Sequence, residues 1–141
     1  MRFYKNMNGD NWQRISGQWD KNTQIETWHG ITTNAYGRVI GIDLRSKGLQ
    51  GKGLSVLGLL GKLEKLRINN NKISGRLPMT LVLCRNITMI SCKNTNMKGR
   101  IPFVYNGMLN LKHLWVKYNT NIRGSYPFIQ SLSWTPVVSQ L

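Results

Sequence analysis

One motif recurs along this chain at a spacing of 24 residues, and that period restricts the fold more than any other feature. The register copy is Leu63-Glu64-Lys65-Leu66-Arg67-Ile68-Asn69-Asn70-Asn71-Lys72-Ile73-Ser74-Gly75-Arg76-Leu77-Pro78. One period on, Ile87, Ile90, Cys92, Met97, Gly99, Ile101 and Pro102 fall on its apolar, glycine and proline columns. One period back, Val39, Ile42, Leu44, Leu49 and Gly51 do the same, with Gly53-Leu54 in place of Leu77-Pro78. Two periods on, Leu111, Leu114, Val116 and Asn119 match, and Ile122, Gly124 and Pro127 follow one residue late. A single insertion near Thr120 accounts for the shift. The columns Leu57, Leu81, Tyr105 and Leu60, Cys84, Met108 continue the pattern.

Each copy has a physical reading. Alternation in Leu66-Arg67-Ile68 predicts a half-buried strand. The side chain of Asn71 can bond backbone groups of the following turn. Its column reads Lys47, Asn71, Thr95, Asn119, so a side-chain ladder is expected only at alternate turns. Gly75 permits a bend, and Pro78 starts the return segment. No single unit can bury its own apolar edge, whereas stacked units can.

Leu-x-x-Leu-x-Ile-x-x-Asn-x-Ile-x-Gly-x-Leu-Pro at Leu63–Pro78, with Gly99-Arg100-Ile101-Pro102, resembles the 24-residue plant-type leucine-rich repeat. Phe3-Tyr4, Asn8-Gly9-Asp10-Asn11-Trp12, Trp19 and Trp28-His29-Gly30-Ile31-Thr32 are similar to the N-terminal cap of that family. The resemblance implies an α/β, right-handed solenoid. Its parallel β-sheet lies on the concave face, with a second short strand per coil and short 3₁₀ or irregular helices on the convex face. The expected organisation is a capping segment at 1–38, repeats at 39–62, 63–86, 87–110 and 111–135, and a tail at 131–141, with repeat character fading near 130. Trp12, Trp19 and Trp28 are expected to anchor the cap; ligand stacking is the alternative.

The resemblance has gaps. The family's cap cysteines would fall at Glu26 and Thr33, so no cap disulfide is expected. Family likeness points to an extracellular or membrane-attached protein, yet Met1–Asn6 has no apolar leader character, which leaves the compartment open. No apolar run approaches the roughly 18 residues of a spanning helix. Asn86-Ile87-Thr88 is a formal glycosylation sequon whose column recurs at Asn110-Leu111.

Catalysis is not expected. His29 and His113 sit in no metal spacing, the five carboxylates form no acid–base pair, and no phosphate loop is present, so neither metal nor cofactor is called for. Cys84 and Cys92 occupy inward columns and read as buried thiols, with a bridge between them as the lesser alternative.

Binding is the function left. Formal net charge is +15, and after Glu64 eleven basic residues follow without one carboxylate. That asymmetry first suggests nucleic acid, anionic lipid or an acidic protein. The outward strand columns read Gly41, Lys65, Met89, His113; then Asp43, Arg67, Ser91, Trp115; then Arg45, Asn69, Lys93, Lys117; then Ser46, Asn70, Asn94, Tyr118. A partner surface is therefore expected at Lys65, Arg67, Lys93, His113, Trp115, Lys117 and Tyr118, suited to an acidic protein or peptide. Trp115 could instead meet a further coil. A second basic column, Lys52, Arg76 and Arg100 with Lys98 and Arg123 beside it, is either solvated charge or an electrostatic site for nucleic acid or lipid. By resemblance, the whole would be the recognition part of a receptor-like or defence protein.

Overall fold

The computed structural model describes residues 2–13, 15, 18–119 and 121–124. Thr120, Pro127 and the 131–141 tail lie outside the described residues. The cap opens with α1 (Arg2–Asn6) and 3₁₀ turns at Gly9–Asn11 and Ile25–Thr27. Nine strands follow among the described residues: β1 (Ile31–Thr33), β2 (Val39–Asp43), β3 (Gln50–Gly51), β4 (Lys65–Arg67), β5 (Lys72–Gly75), β6 (Met89–Ser91), β7 (Asn96–Arg100), β8 (His113–Trp115) and β9 (Asn121–Arg123).

They form two sheets, because each coil contributes two strands. The first sheet is ordered β1-β2-β4-β6-β8 and the second β3-β5-β7-β9. Pairing between coils is parallel throughout, and the cap's β1 adds antiparallel to β2. The first three coils each return from the second sheet to the first through a 3₁₀ segment, at Leu54–Leu59, Met79–Leu83 and Phe103–Gly107. In the first sheet, register follows the 24-residue period: Gly41, Lys65, Met89 and His113 are lateral neighbours, as are Asp43, Arg67, Ser91 and Trp115.

The core is one column of apolar side chains running through every coil, from Leu44 and Leu49 through Ile68, Ile73 and Met97 to Leu114 and Val116. At the cap end, Phe3, Tyr4, Trp12, Trp19 and Trp28 interlock. Trp12 and Trp19 meet edge-on at 4.9 Å, and Trp19 stacks on Trp28 at 5.1 Å. Each indole N–H is satisfied: Trp12 donates to the Met7 carbonyl at 2.7 Å, Trp19 to the His29 carbonyl at 3.0 Å, and Trp28 to Thr23 Oγ1 at 3.0 Å. Aromatic bulk covers the end of the first coil with the indole donors of these three tryptophans paired.

Where the sequence suggested a ladder at alternate turns, each asparagine serves two coils. Asn71 Nδ2 donates to Leu44 O and Ile68 O, both at 2.8 Å, while its Oδ1 accepts from Lys47 N at 3.1 Å and Leu49 N at 3.0 Å. Asn119 repeats this one bridge further along, donating to Cys92 O and Val116 O and accepting from Thr95 N. Thr95 supplies its own hydroxyl to the same knot, 2.6 Å from Asn119 Oδ1. A non-asparagine coil is thus stitched by its neighbour.

Cys84 and Cys92 are free and buried. Burial pushes the Cys84 thiol up to about 11 and the Cys92 thiol up to about 12. Both stay protonated at physiological pH, so neither is a ready nucleophile. A disulfide-forming thiol reagent at pH 8 is expected to leave both unmodified in the native protein and to titrate two after unfolding. Rapid native labelling of either would contradict the packing.

Candidate partner-binding surface

The outward residues of the concave sheet derive their positions from strand pleat and coil register. Adjacent strands stand about 4.8 Å apart, so side chains in one column touch. At β8 the pleat presents His113 and Trp115 on the same face, with ring centroids 5.2 Å apart. Lys93, from the preceding coil, places its ammonium 4.7 Å from the Trp115 ring centroid. Lys117 places its own 4.9 Å from that of Tyr118. Two ammonium groups in one column would repel; the electron-rich ring faces beneath them ease that repulsion. Trp115 and His113 are half-buried, while Tyr118 is 67% exposed. The cluster combines flat apolar surface with two cations, which suits a carboxylate-bearing segment.

The other two residues expected here are placed differently. Lys65 is exposed one coil pair away, its lateral neighbour Met89 lying between it and His113. Arg67 is engaged within the protein: Nη1 lies 3.6 Å from Asp43 Oδ2, and Nε is 3.3 Å from Met89 Sδ. Asp43 also takes a two-point contact from Arg45, with both bonds at 2.8 Å. Partial burial pushes the Asp43 carboxyl up, but the Arg45 hydrogen bond and charge, aided by Arg67, outweigh it and hold it below its usual 3.8. This link is complete above that value and is lost as pH falls through the lower folded-state one. The concave face therefore carries one carboxylate shared by two arginines at the first two coils, with Lys65 exposed beside them, and only cations at the last two described coils.

One outward residue departs from expectation. Ser91 shares the column of Arg67 and Trp115 but is fully buried. Its small hydroxyl bonds Asn69 Oδ1 at 2.7 Å, and that oxygen also accepts from Lys93 N at 3.0 Å. Long neighbours close over it, so the turn leading into Lys93 is fastened before any ligand arrives.

Tyr118 carries a feature that column reading missed. Ser46, Asn70, Asn94 and Tyr118 all adopt left-handed backbone, with φ of 55°, 57°, 51° and 62°. Asparagine tolerates this conformation; a tyrosine there is held at a cost. The signal was present in the sequence as a ring in a column of small amide and hydroxyl residues.

The second basic column also resolves. The second sheet staggers the coils, pairing Gly75 with Met97 and Arg100 with Arg123. Arg123, expected beside the stack, thus lies directly opposite Arg100. The Lys52 stem passes over Gly75, where an added Cβ would stand 3.5 Å from Lys52 Cγ; the Arg76 stem passes over Gly99, with the corresponding distance 3.0 Å. Each basic residue packs its methylenes on the next coil's bend glycine and keeps its charge in solvent. Among the described residues, no three His, Cys, Asp or Glu side chains are grouped to hold a metal ion.

Cap, paired sheets and 3₁₀ return segments define the class: this is a leucine-rich-repeat solenoid with an N-terminal cap. More narrowly, its repeats resemble those of plant leucine-rich-repeat proteins. Over 82 residues, 57% of this chain, it is 32% identical to phytosulfokine receptor 1 of Arabidopsis thaliana, of which it spans 8%. The structure of the plant peptide hormone receptor RGFR1 in complex with RGF2 superposes with a TM-score of 0.57 at 25% identity, covering 71% of this chain and 19% of that one. A plant ice-binding protein superposes with a TM-score of 0.75 at 16% identity, covering 84% and 38%. No protein-family profile matches the chain. One architecture serves proteins with unrelated names, so the fold alone does not select a ligand.

Proposed function

We propose that this chain is a non-catalytic recognition module that binds an acidic protein or peptide along its concave sheet, anchored at the last two described coils. The observation that carries the reading is the pair of ammonium groups held over Trp115 and Tyr118 beside His113. Aromatic rings next to cations dominate binding energy at protein interfaces. A ligand carboxylate between Lys93 and Lys117 would bridge two cations as Asp43 bridges Arg45 and Arg67. Two relatives named as receptors, one of them solved with RGF2, support a role as the recognition part of a receptor-like or signalling protein.

Selection from a displayed library of random dodecamer peptides tests this. Enriched peptides should be rich in Asp and Glu and bind more weakly as salt rises. The double substitution Lys93→Glu with Lys117→Glu is expected to weaken them at least tenfold, about 1.4 kcal/mol or more. Enrichment of neutral peptides indifferent to that variant would remove the assignment. So would tight, steeply salt-dependent binding of single-stranded RNA that outcompetes every selected peptide.

A further inference from the structure

The convex face carries a feature that the concave reading does not use. Leu59, Met79, Leu83, Phe103, Val104 and Leu109 are large apolar side chains exposed there, with Leu59, Phe103 and Leu109 at 80% or more. Most belong to the three 3₁₀ segments, which stack laterally. Met79 and Phe103 share a column, as do Leu59 and Leu83. Cross-coil bonds hold these segments together: Thr80 Oγ1 donates to Ser55 O at 2.8 Å, Tyr105 Oη to Pro78 O at 3.0 Å, and Asn110 Nδ2 to Arg85 O at 2.9 Å. Gly58 permits close approach, since a Cβ there would stand 2.5 Å from Thr80 O. The apolar residues are thus displayed on a braced surface.

Basic residues border that surface on both sides. Lys52, Arg76 and Arg100 precede the 3₁₀ segments by two or three residues, and Lys62, Arg85 and Lys112 follow them; all six are exposed. No carboxylate occurs in 50–62, 74–86 or 98–112. An exposed apolar patch of this kind marks an interaction site. Its border sets six cations against one carboxylate, Glu64 in the column of Lys112, and that excess defines the partner's charge.

We propose that the convex face docks on an anionic lipid bilayer, with Phe103, Met79, Leu83 and Leu59 entering the headgroup boundary and the bordering basic residues, led by the Lys52, Arg76 and Arg100 row, meeting lipid phosphates and carboxylates. Apolar insertion and cationic attraction act together at such surfaces. A single-stranded nucleic acid fits less well, because five of the six apolar side chains are not aromatic and offer no base-stacking platform. A second copy fits less well because apposed faces would bring like-charged rows together.

Flotation of the full chain with vesicles of phosphatidylcholine containing 30% phosphatidylserine is the test. The protein is expected to float with these vesicles and to bind pure phosphatidylcholine about tenfold more weakly or less. Phe103→Ser with Met79→Ser, and separately Arg76→Glu with Arg100→Glu, should each weaken binding about tenfold. Tyr36→Ser, removing an equally exposed ring from the cap, should change nothing. Far-ultraviolet circular dichroism and melting of each variant should match the parent, since the replaced side chains are on the surface. Equal binding to neutral and anionic vesicles, no binding to either, or retention of binding by the charge-reversed variant would overturn the proposal. So would a dimer in light scattering that Phe103→Ser abolishes, which would make the face a self-interface, or preferential RNA binding insensitive to the serine variant. None of these readouts depends on the concave peptide site, so either proposal can fail alone.

Discussion

Replacing Asn71 by alanine is expected to lower the unfolding free energy by about 3–5 kcal/mol. The side chain is buried, and its amide N–H groups are shared among Leu44 O, Ile68 O and Asn69 O. Its carbonyl accepts from Lys47 N and Leu49 N of the preceding coil. Alanine would strand these backbone groups in a site closed to water. Each stranded group costs about 1–3 kcal/mol, and local relaxation recovers part of the sum. Because Lys47 occupies the same column one coil earlier and cannot accept these bonds, no neighbour takes over. Urea titration followed by tryptophan fluorescence should show a lower midpoint with an unchanged slope. Asn70→Gly is the matched control: its left-handed backbone suits glycine and its side chain is exposed, so its effect should stay below about 1 kcal/mol. A loss under 1 kcal/mol for Asn71→Ala would mean that the turns hold their backbone without the asparagine.

Trp115→Ala should weaken binding of an acidic peptide selected on the parent protein by about 30- to 1000-fold, or roughly 2–4 kcal/mol, with little change in folding stability. Half-burial and an outward column place the ring on the surface, and the Lys93 ammonium that rests on it would lose its seat. Tyr118→Asn makes the complementary case. Asparagine suits the left-handed backbone held by Asn70 and Asn94, so this variant should be more stable than the parent by about 1 kcal/mol while binding peptide more weakly. A gain in stability joined to a loss of affinity marks a ring retained for recognition. Calorimetric titration and thermal melting of both variants check the pair. Undiminished affinity in Trp115→Ala would move the ligand off this face.

The repeat period, the inward columns and the cap tryptophans were legible in the residues alone. Burial imposes period two on each strand and 24 residues on each coil, so apolar identity at Leu44, Ile68, Cys92 and Val116 is enough to reveal the inside. The two-strand coil and its 3₁₀ return came from resemblance to a known repeat. Outward residues are less constrained, and their column alone does not fix their contacts. Its column sets Arg67 among the binding cations, yet Asp43 and Met89 occupy it. Ser91 counted as outward, yet it is sealed beneath longer neighbours. The basic stack on the second strand is staggered, because the second sheet pairs coils out of step with the repeat.

By itself, then, the sequence determined which side chains face inward and that the coils stack, since apolar burial acts on every copy alike and leaves its period in print. Tertiary structure alone decided which cations are free. Whether Lys93 meets Trp115 or Arg67 meets Asp43 depends on side-chain reach across strands about 4.8 Å apart, and a one-residue difference in stagger changes that partner without altering the repeat.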